Sequence, residues 1–178
     1  MYGLPKIHKN ESDPDYRPIL SMRNSAKYNL SKWLDSFLKP HIPKEFTLKD
    51  TFEFVNSLNN FKRNCPKNSC FVSFDAISLF SNIPVSSTIE HIISSIDDNL
   101  LPVEMNTLRQ LLTLACKNVL FSFDSELYIQ QEGMAMRSPL GPTMAAFAMD
   151  KIERKICAYA GQKSLFYKRY VDDIFAIL

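Results

Sequence analysis

The sequence is poor in the residues that brace a fold with metal or covalent bonds. Its cysteines, Cys65, Cys70, Cys116 and Cys157, form no CxxC pair, and His8, His41 and His91 are scattered. That spacing argues against a zinc site or a disulfide framework and predicts reduced, mostly buried thiols. Glycine is scarce, at 4 among 178 residues, and there is neither an internal repeat nor a low-complexity segment. Repeat arrays and linker-like chains are thereby set aside. No uninterrupted apolar stretch is long enough to span a bilayer, and the N-terminus has no apolar signal segment. An intracellular chain without membrane contact is expected.

What is present is enough for one domain with a real core. The hydrophobic fraction is 46 %, the charged fraction 22 %, and phenylalanine is abundant, at 13. Both fractions are ordinary for a globular protein. The net charge of +2 says little, but basic residues crowd the start, among them Lys6, Lys9, Arg17, Arg23 and Lys27. A local positive excess suits a polyanionic partner, and a solvated surface accounts for it equally well.

The order of elements predicts an α+β fold, since no regular βαβ alternation is visible. Residues 1–24 carry three prolines and read as an extended arm or hairpin. Leu30, Trp33, Leu34, Phe37 and Leu38 recur at helical spacing, and Pro40 and Pro43 stop that helix. A second helix is expected after Asp50, with Phe54, Val55, Leu58 and Phe61 on one face. "CFVSFD" is a strand ending on Asp75. A helix is predicted to open at Ser86 or Ser87, where Ser87 and Glu90 fit a capping box, and to bury Ile89, Ile92, Ile93 and Ile96. Pro102 is expected to open another, with Leu108, Leu111, Leu112 and Ala115 inward. "VLFSFDSELYIQ" reads as a hairpin turning at Asp124–Ser125, followed by a helix from about Pro142 to Ala160.

The sequence closes on "LFYKRYVDDIFAIL", with Asp172 and Asp173 inside an apolar run that reads as a buried strand. Burying adjacent carboxylates is costly. Two accounts fit. The pair is a hairpin turn, since aspartate tolerates turn conformations. Alternatively, divalent cations sit on hard carboxylate oxygens, as Mg²⁺ does while keeping phosphate and water in its shell. The second account needs another carboxylate nearby, and Asp75 has the same setting of apolar strand followed by acid. Asp97–Asp98, in "SSIDDNL", reads instead as the solvated end of a helix.

"YGLPKIHK", "YRPI", "SFDAISLFSNIPV", "QEGMAMRSPLGP" and "RYVDD" occur in this order over nearly the whole chain. Together they resemble the polymerase of Penelope-like retroelements, a group of reverse transcriptases. The resemblance implies a truncated fingers–palm fold with an antiparallel palm sheet packed on helices. It implies fingers-like residues over about 1–62 and mainly palm over about 63–178, with a possible fingers insertion near 86–118. It further implies RNA-directed DNA synthesis from dNTPs on an RNA template with a DNA primer, using two Mg²⁺ ions or Mn²⁺. Asp75 and Asp172 would be the principal metal ligands and Asp173 a companion acid. Arg17 would meet the incoming triphosphate, with Lys6 and Lys9 near template or primer. Ser78 and Leu79 would offer backbone N–H groups to the triphosphate. Phe80 would bar a ribose 2′-OH, or else be a core aromatic. Met136 would touch the nucleotide, and Gln131, Gly133 and Pro142 would hold the template.

Two departures stand out. Arg137 replaces a glycine of the family's "AMGSP", where it would crowd the substrate path, strain the turn or clasp a phosphate, with damage favoured. Gly141 replaces a serine, a loss of one hydroxyl. No thumb and no GIY-YIG-type endonuclease follows the second acidic strand, so a fragment or decayed copy is expected, acting in the nucleus where such elements act. The alternatives to an enzyme are a non-catalytic nucleic-acid-binding remnant and a product without function.

Overall fold

A computed structural model describes residues 1–7, 12–62, 65–158 and 164–178. The chain opens as a hairpin, β1 (Tyr2–Pro5) pairing antiparallel with β2 (Tyr16–Ile19). Four helices then build the main core: α1 (Ala26–Leu38), α3 (Val85–Ser95), α4 (Met105–Cys116) and α5 (Gly141–Ala158). They pack in the order α1, α4, α3, α5. Leu34 and Leu38 of α1 meet Leu108 and Leu112 of α4, Ile89 and Ile92 of α3, and Met144 and Phe147 of α5 in one buried cluster. Each such side chain contributes roughly 1.5–3 kcal/mol by leaving water. Trp33 stays at the margin of this core, half-exposed and edge-on to Phe37 at 4.9 Å.

The central sheet has the order β3 (Phe71–Asp75), β7 (Asp173–Ile177), β6 (Phe166–Tyr170), all antiparallel. Residues 46–48 run along the outer edge of β6: Arg169 N–H donates to Phe46 C=O at 2.8 Å, and Leu48 N–H to Arg169 C=O at 2.7 Å. One face takes aromatic rings from α2 (Thr51–Lys62), Phe54 against Phe175 and Phe61 against Phe166, each at 5.4 Å. The other face takes α5, whose Glu153 meets Tyr167 and Arg169. A separate hairpin, β4 (Val119–Phe123) with β5 (Glu126–Gln130), turns at Asp124–Ser125 as expected. The architecture is α+β, mixing helices with antiparallel sheet.

Several local expectations are corrected. The capping box at Ser87 does not form. The helix begins at Val85 without a side-chain cap, and Ser87 Oγ donates back to Pro84 C=O at 3.3 Å. Glu90 is held instead by Arg109 of α4 through two bonds of 2.9 Å. Pro102 lies ahead of its helix, which opens at Met105. Val55 is exposed, because α2 turns Phe54, Leu58 and Phe61 rather than Val55 toward the sheet. Of the thiols only Cys116 is buried, and burial pushes its pKa up to about 12, while Cys70 and Cys157 are exposed. Among the described residues no helix is long and apolar enough to cross a membrane.

Candidate active site

The site begins with the register of two strands. Asp75 is the last residue of β3 and Asp173 the first of β7, and the ladder sets them directly opposite each other. Tyr170 pairs with Asp173 across β6–β7, so the intervening turn is Val171–Asp172. The Asp172 C=O accepts the Ala76 N–H at 3.0 Å, which ties that turn to the end of β3. Asp75 and the adjacent pair Asp172–Asp173, far apart in sequence, thus occupy one corner of the sheet. Asp173, rather than Asp172, is the cross-strand partner of Asp75.

All three aspartates are exposed. The buried strand read from "RYVDDIFAIL" is therefore two strands and a turn, and the carboxylates avoid desolvation by sitting at its open end. Residues opposed across a ladder have Cβ atoms about 4.5–5.5 Å apart, and like charges there are destabilising. Among the described residues no side-chain cation or donor pairs with any of the three. Nor do three ligating side chains converge, among the described residues, into a ready-made metal cage. The donor set nonetheless suits Mg²⁺, which is commonly held by one or two carboxylates and completed by water and phosphate.

The turn after Asp75 carries the next candidates. Ser78 is exposed and left-handed at φ 52, and its C=O accepts Asn82 N–H and Ser81 Oγ. Leu79 and Phe80 follow in a 3-10 turn and are partly buried against the main core. Residues 131–141 dock on this turn. Met134 N–H donates to Phe80 C=O at 2.7 Å. Gly133 sits at φ +75, where a Cβ would lie 2.4 Å from Ser81 O, so only glycine fits. The Phe80 ring rests on Gly141, and a serine Cβ there would meet it in ordinary contact at 3.4 Å. Met136 is half-buried, while Gln131 and Pro142 are exposed.

Arg17 is exposed on β2, opposite Leu4. Register puts Tyr2, Leu4, Arg17 and Ile19 on one face of that hairpin. Tyr2 lies under the Arg137 guanidinium at 5.7 Å, so this face meets the 131–141 loop. Arg137 is exposed and is not among the residues of positive φ, so the expected strain in its turn is absent. Lys6 is half-buried, with its N–H bonded to Asp15 C=O at 2.8 Å. Lys9 lies outside the described residues.

Sequence reasoning passed over Arg169 and Glu153. Both are buried, and they form a two-point ion pair directly beneath the Val171–Asp172 turn, with Tyr167 Oη donating to Glu153 at 3.2 Å. Burial and the neighbouring Glu153 carboxylate push the Tyr167 pKa up. An arginine alternating with aromatics on a strand gives no sign of being buried unless its partner, far along another helix, is known.

An antiparallel sheet presenting aspartates at a turn, flanked by helices and an N-terminal hairpin, defines a fingers–palm fold. The sequence pattern of the reverse transcriptase (RNA-dependent DNA polymerase) family matches residues 7–178, and the chain belongs to that family. Two solved structures share the fold. Telomerase from Candida albicans, in complex with a TWJ fragment of telomeric RNA, superposes with a TM-score of 0.64 at 11 % identity, over 88 % of this chain and 30 % of that one. Apo telomerase from Candida tropicalis, truncated from its C-terminal domain, gives 0.56 at 13 % identity, over 88 % and 35 %. The chain thus spans about a third of the length of these structures. No curated protein matches.

Proposed function

We propose that this chain is the RNA-directed DNA polymerase region of a Penelope-like retroelement, adding dNTPs to a primer 3′-OH. The observation that carries the proposal is the opposition of Asp75 and Asp173, beside Asp172, with no cation among the described residues to offset them. Uncompensated carboxylates at a strand end suit a site completed by metal and phosphate. In this reading Asp75, Asp172 and Asp173 hold two Mg²⁺ ions. When bound, the ions supply activation of the 3′-OH and stabilisation of the leaving phosphate oxygen.

The remaining roles belong to the chain's own groups. Arg17 forks onto phosphate oxygens of the incoming nucleotide. Ser78 and Leu79 present backbone N–H groups to the same triphosphate. Phe80, braced on Gly141, bars a 2′-OH, and Met136 lies against the nucleotide. Lys6, Lys9, Gln131, Gly133 and Pro142 follow the template and primer, Gly133 by holding the loop against Ser81. Residues 1–62 act as fingers and 63–178 mainly as palm. An RNA template is in keeping with the telomeric RNA bound by the Candida albicans neighbour.

Extension of a DNA primer on an RNA template, with Mg²⁺ and dNTPs, tests the proposal. Extension that Asp172→Asn removes is expected. A second reading, a nucleic-acid-binding remnant, draws on Arg137, which stands where related polymerases have glycine and lies over Tyr2. Salt-dependent RNA binding without any extension would favour it over the polymerase.

A further inference from the structure

We propose that Arg169 is a positioning residue: through Nη1 it holds the carbonyl of Val171 and so fixes the turn that carries Asp172, while Glu153 fixes Arg169. The inference rests on the reading of the aspartates as a metal site. Arg169 Nη1 donates to Val171 C=O at 2.9 Å. Its Nε and Nη2 donate to the two Glu153 oxygens at 2.6 and 3.2 Å, and Nη2 also reaches Thr47 Oγ1 at 3.1 Å. The side chains are 2 % and 1 % exposed. Arg169 is gripped by its backbone as well, through Phe46 and Leu48.

Stability alone is a poor reason for such a pair. Desolvation offsets most of the attraction in a buried ion pair, and apolar residues of similar volume commonly do as well. What apolar residues lack is a donor for the carbonyl of a turn in an unfavourable conformation. Val171 is that turn's first residue, a β-branched side chain at φ 56. Left-handed backbone is disfavoured for such residues. The turn is held from two sides, by Arg169 at Val171 C=O and by Ala76 N–H at Asp172 C=O. A planar fork reaches Glu153 and Val171 together, which the single ammonium of a lysine cannot do with the same geometry.

The test compares the native chain with Arg169→Lys and with the triple variant Arg169→Met/Glu153→Leu/Tyr167→Phe, which leaves no buried charge unpaired. Two quantities are read: amide hydrogen exchange at Ala76 without metal, and Mn²⁺ affinity from the electron paramagnetic resonance of the free ion. Both variants should keep native circular dichroism and native exchange at Leu112 in the helical core. Ala76 should exchange about tenfold faster or more, and Mn²⁺ should bind about tenfold more weakly, as expected for loss of one charge-assisted bond to the turn. A folded triple variant matching the native chain in both readouts would overturn the proposal, even if Arg169→Lys fails to fold. If the native chain shows no Mn²⁺ binding that Asp172→Asn removes, the metal reading falls. Exchange at Ala76 then still decides whether Arg169 positions the turn.

Discussion

The β4–β5 and β6–β7 hairpins each reverse direction over two residues. In the first, Asp124 and Ser125 are both left-handed, at φ 49 and 64, the pattern of a type I′ turn. Aspartate tolerates that conformation, and a serine there is less disfavoured than a β-branched residue. Its strands carry exposed Leu120, Leu127 and Ile129 on one face, and an N-terminal amine bonded to Ser122 C=O at 2.7 Å. In the second, only Val171 is left-handed, at a position where glycine is the favoured residue of a type II′ turn. That turn is imposed by its surroundings: Arg169 below, Ala76 beside, and helices on both faces of its sheet. Local preference and structure agree where nothing else is asked of the hairpin. They conflict where three carboxylates must be held at a strand end, and backbone outliers of that kind gather at functional sites.

The widest separation between the two hairpins should come from one isosteric change made in each. Asp172→Asn keeps the shape of the turn and removes one ligand charge, so primer extension should fall to background with the circular dichroism spectrum unchanged. Asp124→Asn should leave extension as it was. Equal loss from both changes would mean that the β6–β7 turn has no special chemistry.

Breaking the support beneath the second turn should cost stability that the first hairpin cannot lose. Glu153→Leu alone strands the buried Arg169 guanidinium. Removing one partner of a buried pair costs roughly 3–5 kcal/mol. Urea unfolding followed by tryptophan fluorescence of Trp33 measures it, and a change under about 1 kcal/mol would show that water already reaches Arg169.

How much of this contrast could be read beforehand depends on how local each cause is. The Leu34–Leu38 and Ile89–Ile92 stripes, the strand ending at Asp75 and the Asp124–Ser125 turn were all legible, because periodicity and turn chemistry act over a few residues. The open end of "RYVDD" was harder. The same residues fit a buried strand or a hairpin turning at Asp172–Asp173, and the pairing of Tyr170 with Asp173 shows a hairpin that turns one residue earlier, at Val171–Asp172. Val171 at positive φ was illegible, since its own preference points the other way. Glu90 looked like a cap because its partner Arg109 lies on the neighbouring helix. Glu153 and Arg169 were hidden for the same reason, each being an ordinary surface residue until α5 meets the sheet.

A smaller effect tests whether the conformation of Val171 is truly imposed. Val171→Gly removes a left-handed penalty of roughly 1–2 kcal/mol, partly offset by the greater freedom of glycine in the unfolded chain. The urea midpoint should rise slightly while extension falls, because the turn no longer resists displacement. Ser125→Gly, at the type I′ position where glycine is also favoured, should raise the midpoint by no more than that and leave extension unchanged. A lower midpoint for Val171→Gly would place the valine side chain among stabilising contacts instead.

The smallest expected change lies on the exposed face of the first hairpin. Leu127 is 76 % exposed and sits opposite Ser122, so a lysine there loses almost no buried area and meets no acid directly across the ladder. Leu127→Lys should therefore shift stability by no more than about 0.5 kcal/mol, the range of surface substitutions away from special features. Extension should be unaltered, since neither strand contributes a residue to the aspartate corner. Thermal melts and extension assays check both. A marked loss in either would mean that this apolar face is covered when the protein works, and the first hairpin would then be held by its surroundings as firmly as the second.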